Sequence, residues 1–463
     1  MQRPRLITLL FCAGLLFTPA VLADDAVEQA TKRDSEARSD RGSEIIYPPT
    51  YHSGNAGPVV ITHHDKSVAP VTDRHTASAF SDRGPVVLKA EDYLINPDEE
   101  PFGFLQDATE FVRELAAKLN FSFMPQMVYT YQHSTNVLPG ANHGYSYIYT
   151  NINGAMPLNV ADEDPKGHFV YNIQGNSGLG TPLSPFIEES VGSPYFLNNV
   201  LTGGRLSLKK LWWRQSLMDD ALIINVGKVY YANFFDLNAG AENPTTQFLA
   251  AQLTNNTAVP YASYGAGAIG QWQIEDDLSM RFGTMNALST GRSTGFENLD
   301  EGKLFNMAQI EWSPHTEVGG STLKGNYRAF MWYSGNDVWY DNAGWGAGIS
   351  FDQELGGGFV GFLRWGWAQD GAAPATACWS SGFVLNGFMG RENDGIGLGF
   401  TFSDLSDSGT SNGDGWETLI EAFWRIQVSR TMQFGPDLQY FSSGESDGVE
   451  NTWIWGLRCT WIF

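Results

Sequence analysis

Residues 416–428 read WETLIEAFWRIQV and carry the clearest period-two pattern in the chain. Successive side chains of a β-strand point to opposite faces, so the pattern divides the segment into two faces. One face has Thr418, Ile420, Ala422, Trp424, Ile426 and Val428, and the other has Glu417, Leu419, Glu421, Phe423, Arg425 and Gln427. The first face suits lipid and the second suits water, which indicates a strand in the wall of a membrane-spanning barrel.

The same alternation runs back through the chain from its last residue. The closing segment 452–463 alternates in this way and ends on Phe463, and a terminal aromatic residue is typical of bacterial outer-membrane barrels. Working back from it, the pattern predicts sixteen strands, an even number as in bacterial single-chain barrels. They are 452–463, 433–441, 416–428, 393–403, 379–388, 359–368, 344–354, 324–333, 304–313, 279–288, 266–275, 222–229, 205–214, 168–175, 145–158 and 121–131.

A soluble β-sandwich would alternate as well, so other features must distinguish the two folds. Short turns such as 276–277 alternate with long polar connections such as 404–415. Charged residues on the inner face would be costly in a packed core but not in a water-filled lumen. Aromatic residues recur near the strand ends, as interfacial girdles do: Trp272, Trp312, Tyr333, Trp345, Trp367, Trp453 and Trp461. The sequence therefore predicts an all-β fold, a transmembrane antiparallel β-barrel of about sixteen strands with a short N-terminal helix.

The residues before the first strand divide into three segments. Two arginines precede an apolar run that small residues follow, which predicts a secretory signal peptide over 1–23. Residues 24–101 are polar and predict a flexible periplasmic segment. Residues 102–120 have helical spacing and predict a short helix leading into the barrel at 121–463. An exported barrel of this kind belongs in the outer membrane of a Gram-negative bacterium.

Composition bears on partners and cofactors. The net charge of −23 becomes about −25 when the two signal-peptide arginines are removed, whereas nucleic acid needs a basic face. Four histidines of the polar segment lack cysteine or regular carboxylate partners: His52, His63, His64 and His75. The sequence therefore predicts no nucleic-acid partner, no metal site and no cofactor.

Several runs in the chain resemble the carbohydrate-selective porins of the OprB family. In order, these are GKVYYANFFDLNAGAENPTTQFL (227–249), GWGAGISFDQELGGGFVGFLRWGWAQDG (344–371), FVLNGFMGREND (383–394), ETLIEAFWRIQV (417–428), FGPDLQYF (434–441) and GLRCTWIF (456–463). The resemblance spans about 105–463 and implies a porin through which mono- or small oligosaccharides diffuse passively and selectively into the periplasm. It implies small sugars, outer-membrane lipid and lipopolysaccharide as partners, and it leaves open whether the protein is a monomer or a trimer.

The predicted inner face carries the groups that a sugar-selective pore would use. A sugar is neutral and polyhydroxylated with apolar ring faces, so planar donors, acceptors and aromatic surfaces recognise it. The expected pore-lining residues are Arg205, Arg281, Arg328, Arg364, Arg425, Arg458, Glu417, Glu421, Asp437, Gln439, Trp332, Phe362, Phe423 and Asp236. The alternative is that the charged members pair with one another in the wall, and the sequence leaves both open.

The long connection 230–262 is a candidate for the constriction of the pore. It holds aromatic and acidic residues, including Asp236 and Glu242, and general porins often fold one such loop inward. The alternative is an external loop that packs on its neighbours. Just before it, Lys228 falls on the outward face by alternation, and its side chain can either reach the interface or follow the loop inward.

Two rival functions compete with the sugar porin. A hydrolase barrel needs a serine and a histidine on one strand face. The candidate histidines fall in turns or at strand ends with no serine at a matching spacing: His133, His143, His168 and His315. Glu417 and Glu421 lie about 13 Å apart along a strand, beyond either glycosidase separation, so the sequence predicts no enzyme. The alternative of a channel for anionic sugars or exopolysaccharide export requires a more one-signed lumen than the predicted mixture of charges.

Overall fold

A computed structural model describes Asp107, Phe111 and Glu114, and then residues 122–157, 166–179, 186–200, 206–289, 294–335, 340, 342–391, 393–406, 415–429, 431–444 and 448–463. The three isolated residues are helical and fall within the segment 102–120, whose other residues lie outside the described ones. The predicted signal peptide (1–23) and polar segment (24–101) also lie outside them.

Seventeen strands form one antiparallel sheet within the described residues. They are β1 Ser122–Ser134, β2 Gly144–Pro157, β3 Gly167–Gly178, β4 Ser207–Leu217, β5 Leu222–Val229, β6 Gly265–Glu275, β7 Leu278–Asn286, β8 Leu304–Trp312, β9 His315–Val318, β10 Ser321–Ser334, β11 Gly344–Gly356, β12 Phe359–Ala368, β13 Ala375–Asn386, β14 Gly395–Leu405, β15 Trp416–Gln427, β16 Met432–Ser443 and β17 Asn451–Ile462. Short helices, α1 Ile187–Val191 and α2 Ala251–Thr254, lie in two of the connections.

In the part of the chain that the structure describes, sixteen of these strands close into a barrel. Strand β1 pairs with both β2 and β17, so that Thr130 lies opposite Tyr147 on one side and Arg458 on the other. Strand β8 pairs directly with β10, whereas the short β9 pairs with the first residues of β10. The predicted barrel is confirmed, and each predicted strand bound lies within four residues of the observed one.

The two faces of the wall alternate in burial as the sequence predicts. In β15, Glu417 and Glu421 are buried, whereas Ile420 and Trp424 are exposed on the outside. In β17, Arg458 is buried between the half-buried Leu457 and Cys459. A register shift of one residue would have exchanged the inner and outer faces of both strands, so the predicted assignment of their inner faces is confirmed.

The two ends of the barrel differ in the length of their connections. Short turns join β4 to β5, β6 to β7 and β11 to β12, whereas long connections join β3 to β4 and β5 to β6. Porins place short turns in the periplasm and long loops outside, so the long connections mark the outer end. Exposed tryptophans lie at both ends, with Trp272 and Trp312 near the short turns and Trp345 and Trp453 near the long connections. No helix among the described residues is long and apolar enough to cross a membrane.

Candidate pore constriction

Two long connections fold into the lumen of the barrel. We call residues 230–262, between β5 and β6, the constriction loop, and residues 186–200, between β3 and β4, the upper loop. Their side chains are largely buried, as at Tyr231, Phe248 and Leu197, and both loops bond to inner-face residues of the wall. Of the two arrangements that the sequence left open for 230–262, the structure has the inward one.

Arg364 on β12 fixes the middle of the constriction loop. Its guanidinium is fully buried and donates from Nε to the Asp236 carboxylate at 3.1 Å. Its Nη1 donates to the carbonyl oxygens of Ala241 at 2.7 Å and Leu253 at 2.6 Å, and Nη2 donates to that of Asp236 at 3.0 Å. A single wall residue therefore joins three points of the loop that are distant in sequence.

Asp236 connects the constriction loop to itself and to the wall. Its N–H donates to Gln309 Oε1 on β8 at 2.9 Å, and its Oδ2 accepts from the Asn256 N–H at 2.9 Å and the Tyr261 hydroxyl at 3.0 Å. Its φ of 59° is left-handed, which a residue with a side chain keeps only where the surroundings hold it. Burial raises the pKa of Asp236, and Arg364 and the Tyr261 hydroxyl oppose that rise by stabilising the carboxylate.

Another part of the constriction loop is attached to β17 and β1, where the barrel closes. Arg458 on β17 donates to the carbonyl oxygen of Pro244, and the Thr460 hydroxyl donates to that of Thr245 at 2.9 Å. Gln126 on β1 donates to the Thr245 hydroxyl at 3.0 Å. Because Gln309 on β8 bonds to the loop at Asp236, while β1, seven strands away around the sixteen-stranded barrel, bonds to it at Thr245, the loop crosses the lumen.

The acidic residues of β15 bind both inward loops. Glu421 accepts the backbone N–H groups of Leu249 and Ala250, the latter at 2.9 Å, just before α2. Glu417 Oε2 accepts from the Ser193 hydroxyl of the upper loop at 2.9 Å and from Gln252 of the constriction loop at 3.2 Å. On the neighbouring strand, Gln439 donates to the carbonyl oxygen of Leu197 at 2.9 Å.

A row of alternating charges crosses four neighbouring strands of the wall. Arg281 on β7 lies 2.7 Å from Glu311 on β8, which lies 3.2 Å from Arg328 on β10. Arg328 also lies 2.6 Å from Asp352 on β11. All four side chains are buried, so two of the predicted arginines pair with acidic wall residues, Glu311 and Asp352, that the sequence analysis had not named.

The predicted aromatic residues pack against the constriction loop. Trp332 is 1% exposed, and its Nε1 donates to the carbonyl oxygen of Ala258 at 3.1 Å. Phe248 of the loop lies between Phe362 and Phe423 of the wall, with ring centroids 5.5 Å and 4.9 Å away. A Cβ on Gly399 would lie 2.8 Å from the Leu253 side chain, so the bare glycine backbone admits the loop there.

The remaining predicted residues have mixed surroundings. Arg205 lies outside the described residues. Asp437 is buried on β16, opposite Phe423 in the sheet. Arg425 is half-buried and donates to Asn386 Oδ1 at 3.1 Å. Lys228, whose position the sequence left open, is largely buried, and its ammonium group lies 3.5 Å from a backbone oxygen of β4.

Polar groups of the constriction loop remain partly open to solvent near Arg425. Glu242, Asn243, Thr246 and Gln247 are half-buried, and the carbonyl oxygen of Thr246 lies 3.4 Å from the Arg425 guanidinium. Desolvation raises the pKa of Glu242 to about 8, so near neutral pH this carboxyl is largely a neutral hydrogen-bonding group. These side chains could hydrogen-bond a passing hydroxylated solute.

Sequence reasoning missed a connected set of amides on the inner face of β1, β2 and β3. Asn172 donates to Asn151 Oδ1 at 2.6 Å and to Asn153 Oδ1 at 2.7 Å, and Asn151 donates to Gln126 Oε1 at 3.3 Å. The period-two spacing of residues 151 and 153 was a usable signal once the inner face was assigned.

Across the described ranges, no group of three or more His, Cys, Asp or Glu residues could hold an ion. Cys378 is buried, with its Sγ 3.0 Å from Asn256 Oδ1 of the constriction loop.

Comparisons with known proteins show which family and which solved structures this barrel is similar to. A family model described as "Carbohydrate-selective porin, OprB family" matches residues 169–463. The high-pH structure of Pseudomonas putida OprB is similar at 18% identity and a TM-score of 0.63, covering 77% of this chain and 97% of that one. Its low-pH structure is similar at 15% identity and a TM-score of 0.50, with the same coverage. No curated protein matches the chain.

Proposed function

Because the chain belongs to the carbohydrate-selective porin, OprB family, we propose that its pore passes mono- or small oligosaccharides by passive diffusion into the periplasm. The family and the fold make it a sugar-selective, non-enzymatic channel of the Gram-negative outer membrane. The size of the sugar and the direction of its flow are the proposed part.

The observation that carries the proposal is the constriction loop, which crosses the lumen and is held at both sides. The buried arginines around it are paired: Arg364 with Asp236 of the loop, and Arg328 with Glu311 and Asp352 within the wall. Paired charges leave no strong net field along the passage, which suits a neutral solute better than an anion. An inward loop also narrows the lumen, which favours small sugars over long chains.

Direct contact with sugar belongs, in this proposal, to the half-buried polar groups rather than to the fully buried ones. Arg425 offers a planar fork of donors, and Asn243 and Gln247 offer amides that both donate and accept. Arg364 and Glu421 instead position the loop that carries Asn243 and Gln247. Sugar binding must stay weak for rapid release, at millimolar affinity or about 4 kcal/mol.

Single-channel conductance in a planar bilayer tests this function. We would titrate glucose, a disaccharide and a uronate separately against the ion current. We expect neutral sugars to block the current in a saturable, millimolar range, with weaker block by the uronate. Block by the uronate alone would replace the proposal with the channel for anionic sugars or exopolysaccharide.

The surroundings of the barrel are also part of the proposal. The outward face carries exposed apolar side chains such as Phe282, Phe400 and Leu438, and we expect it to contact outer-membrane lipid and lipopolysaccharide. Whether the protein acts as a monomer or a trimer does not alter the passage argued here, because the constriction lies within one chain.

A further inference from the structure

Two histidines lie together at the outer end of the first hairpin, away from the constriction. His133 is near the end of β1, and His143 directly precedes β2. Their ring centroids are 5.7 Å apart, with the ring planes 25° from parallel. His133 is half-buried on the outward face of β1, beside Trp455, and His143 is exposed.

The orientation of each ring is fixed by a different neighbour. His143 Nδ1 lies 2.8 Å from the backbone carbonyl oxygen of Ser134, which can only accept, so Nδ1 carries the proton and Nε2 keeps a free lone pair. The His133 ring lies 5.2 Å from the Trp455 ring of β17. Opposite it, a Cβ on Gly144 would lie 3.4 Å from His133 Nδ1, so the glycine leaves the ring little spare space.

The separation of the two rings lies within the range that a shared metal ion allows. Zinc lies about 2.0–2.1 Å from a ligating imidazole nitrogen, so two rings that share one ion have centroids no more than roughly 6.4 Å apart. A separation of 5.7 Å falls within that limit. A ligating histidine also commonly donates its other ring N–H to a backbone carbonyl, as His143 does to Ser134.

We propose that His133 and His143 bind one divalent transition-metal ion of the zinc, copper or nickel type at the outer rim of the barrel. Imidazole nitrogens suit these ions, whereas calcium and magnesium require oxygen ligands. Water completes the coordination, because in the described part of the chain no further His, Cys, Asp or Glu joins the pair as a third ligand. The ion would join β1 to β2 beside Trp455, where the first and last strands of the barrel meet.

Zinc protection from histidine modification tests the site directly. The full chain, folded in detergent and stripped with chelator, is treated with diethylpyrocarbonate with and without zinc chloride, and the modified peptides are measured by mass spectrometry. We expect zinc to lower modification of His133 and His143 but not of His315, an exposed histidine on β9. This readout resolves each histidine, so binding elsewhere in the chain does not confuse it.

Variants provide the second measurement. We expect the double variant His133→Ala/His143→Ala to bind one zinc equivalent fewer than the unaltered chain, and His315→Ala to bind the same number. Each single variant of the pair should weaken binding at this site by about tenfold or more. Equal protection of His315, or an unchanged stoichiometry in a folded double variant, would overturn the proposal.

Discussion

Replacing Arg364 with methionine should release the constriction loop while leaving the barrel closed. The guanidinium makes four hydrogen bonds to the loop, and the change leaves Asp236 buried with two neutral donors and no cation. Removing one partner of a buried ion pair costs about 3–5 kcal/mol, or roughly a hundredfold to several-thousandfold in the docking equilibrium. Methionine keeps much of the side-chain volume, so the lost interactions dominate over an empty cavity.

Single-channel recording measures the consequence of this release. We expect Arg364→Met to raise the conductance, add current noise and weaken block by glucose. The matched control is Arg391→Met, because Arg391 pairs with Asp394 at 2.8 Å in a short turn outside the constriction loop. The double variant Arg364→Met/Asp236→Asn should recover part of the closed behaviour, since it removes the uncompensated carboxylate.

If Arg364→Met shows the heat-modifiable mobility of a folded barrel and yet conducts and binds sugar as the unaltered chain does, Arg364 does not hold the constriction loop.

Three further predictions concern the remaining contacts. Arg458→Ala should also raise conductance, but less than Arg364→Met, because Arg458 bonds to one loop carbonyl, and equal effects would contradict this ranking. Arg425→Ala should raise the millimolar constant for sugar block severalfold while raising the open-channel conductance less than Arg458→Ala does, because its bond to the Thr246 carbonyl is long at 3.4 Å, and unchanged block would remove Arg425 from the sugar path. Burial raises the pKa of Glu188 in the upper loop well above its usual range. Burial favours the neutral carboxyl, so docking of that loop is most stable below the ordinary carboxyl pKa of about 4.3. Docking weakens as pH rises through the raised pKa and the carboxyl becomes charged. Conductance should accordingly rise with pH, and Glu188→Gln should flatten that dependence.

The strands were predictable because membrane and water impose opposite demands on successive residues. The alternation of 416–428 identified the inner face, so Glu417, Glu421 and Arg425 were assigned correctly to it. What the alternation could not reveal is what occupies the lumen. It gives the direction of a side chain from the wall and carries no information about the backbone that the side chain meets.

The path of the constriction loop could not be predicted from the sequence, for a related reason. Its main attachments are wall side chains that bond to backbone atoms, such as Arg364 to the carbonyl oxygens of Ala241 and Leu253. A carbonyl group is present in every residue, so no pattern of residue types marks where such a bond forms. Residue types made Arg364 a candidate for contact with sugar, and the structure adds that it is fully buried against the loop.

The central claim is that the docked constriction loop limits the pore to small neutral sugars. Swelling of liposomes that contain the protein tests it most directly, with a monosaccharide, a disaccharide, longer oligosaccharides and a uronate as solutes. We expect rapid swelling with the monosaccharide, a steep fall in rate with oligosaccharide length, and slower swelling with the uronate than with its neutral counterpart. Rates that follow only the free diffusion of each solute, or that are highest for the uronate, would contradict the claim.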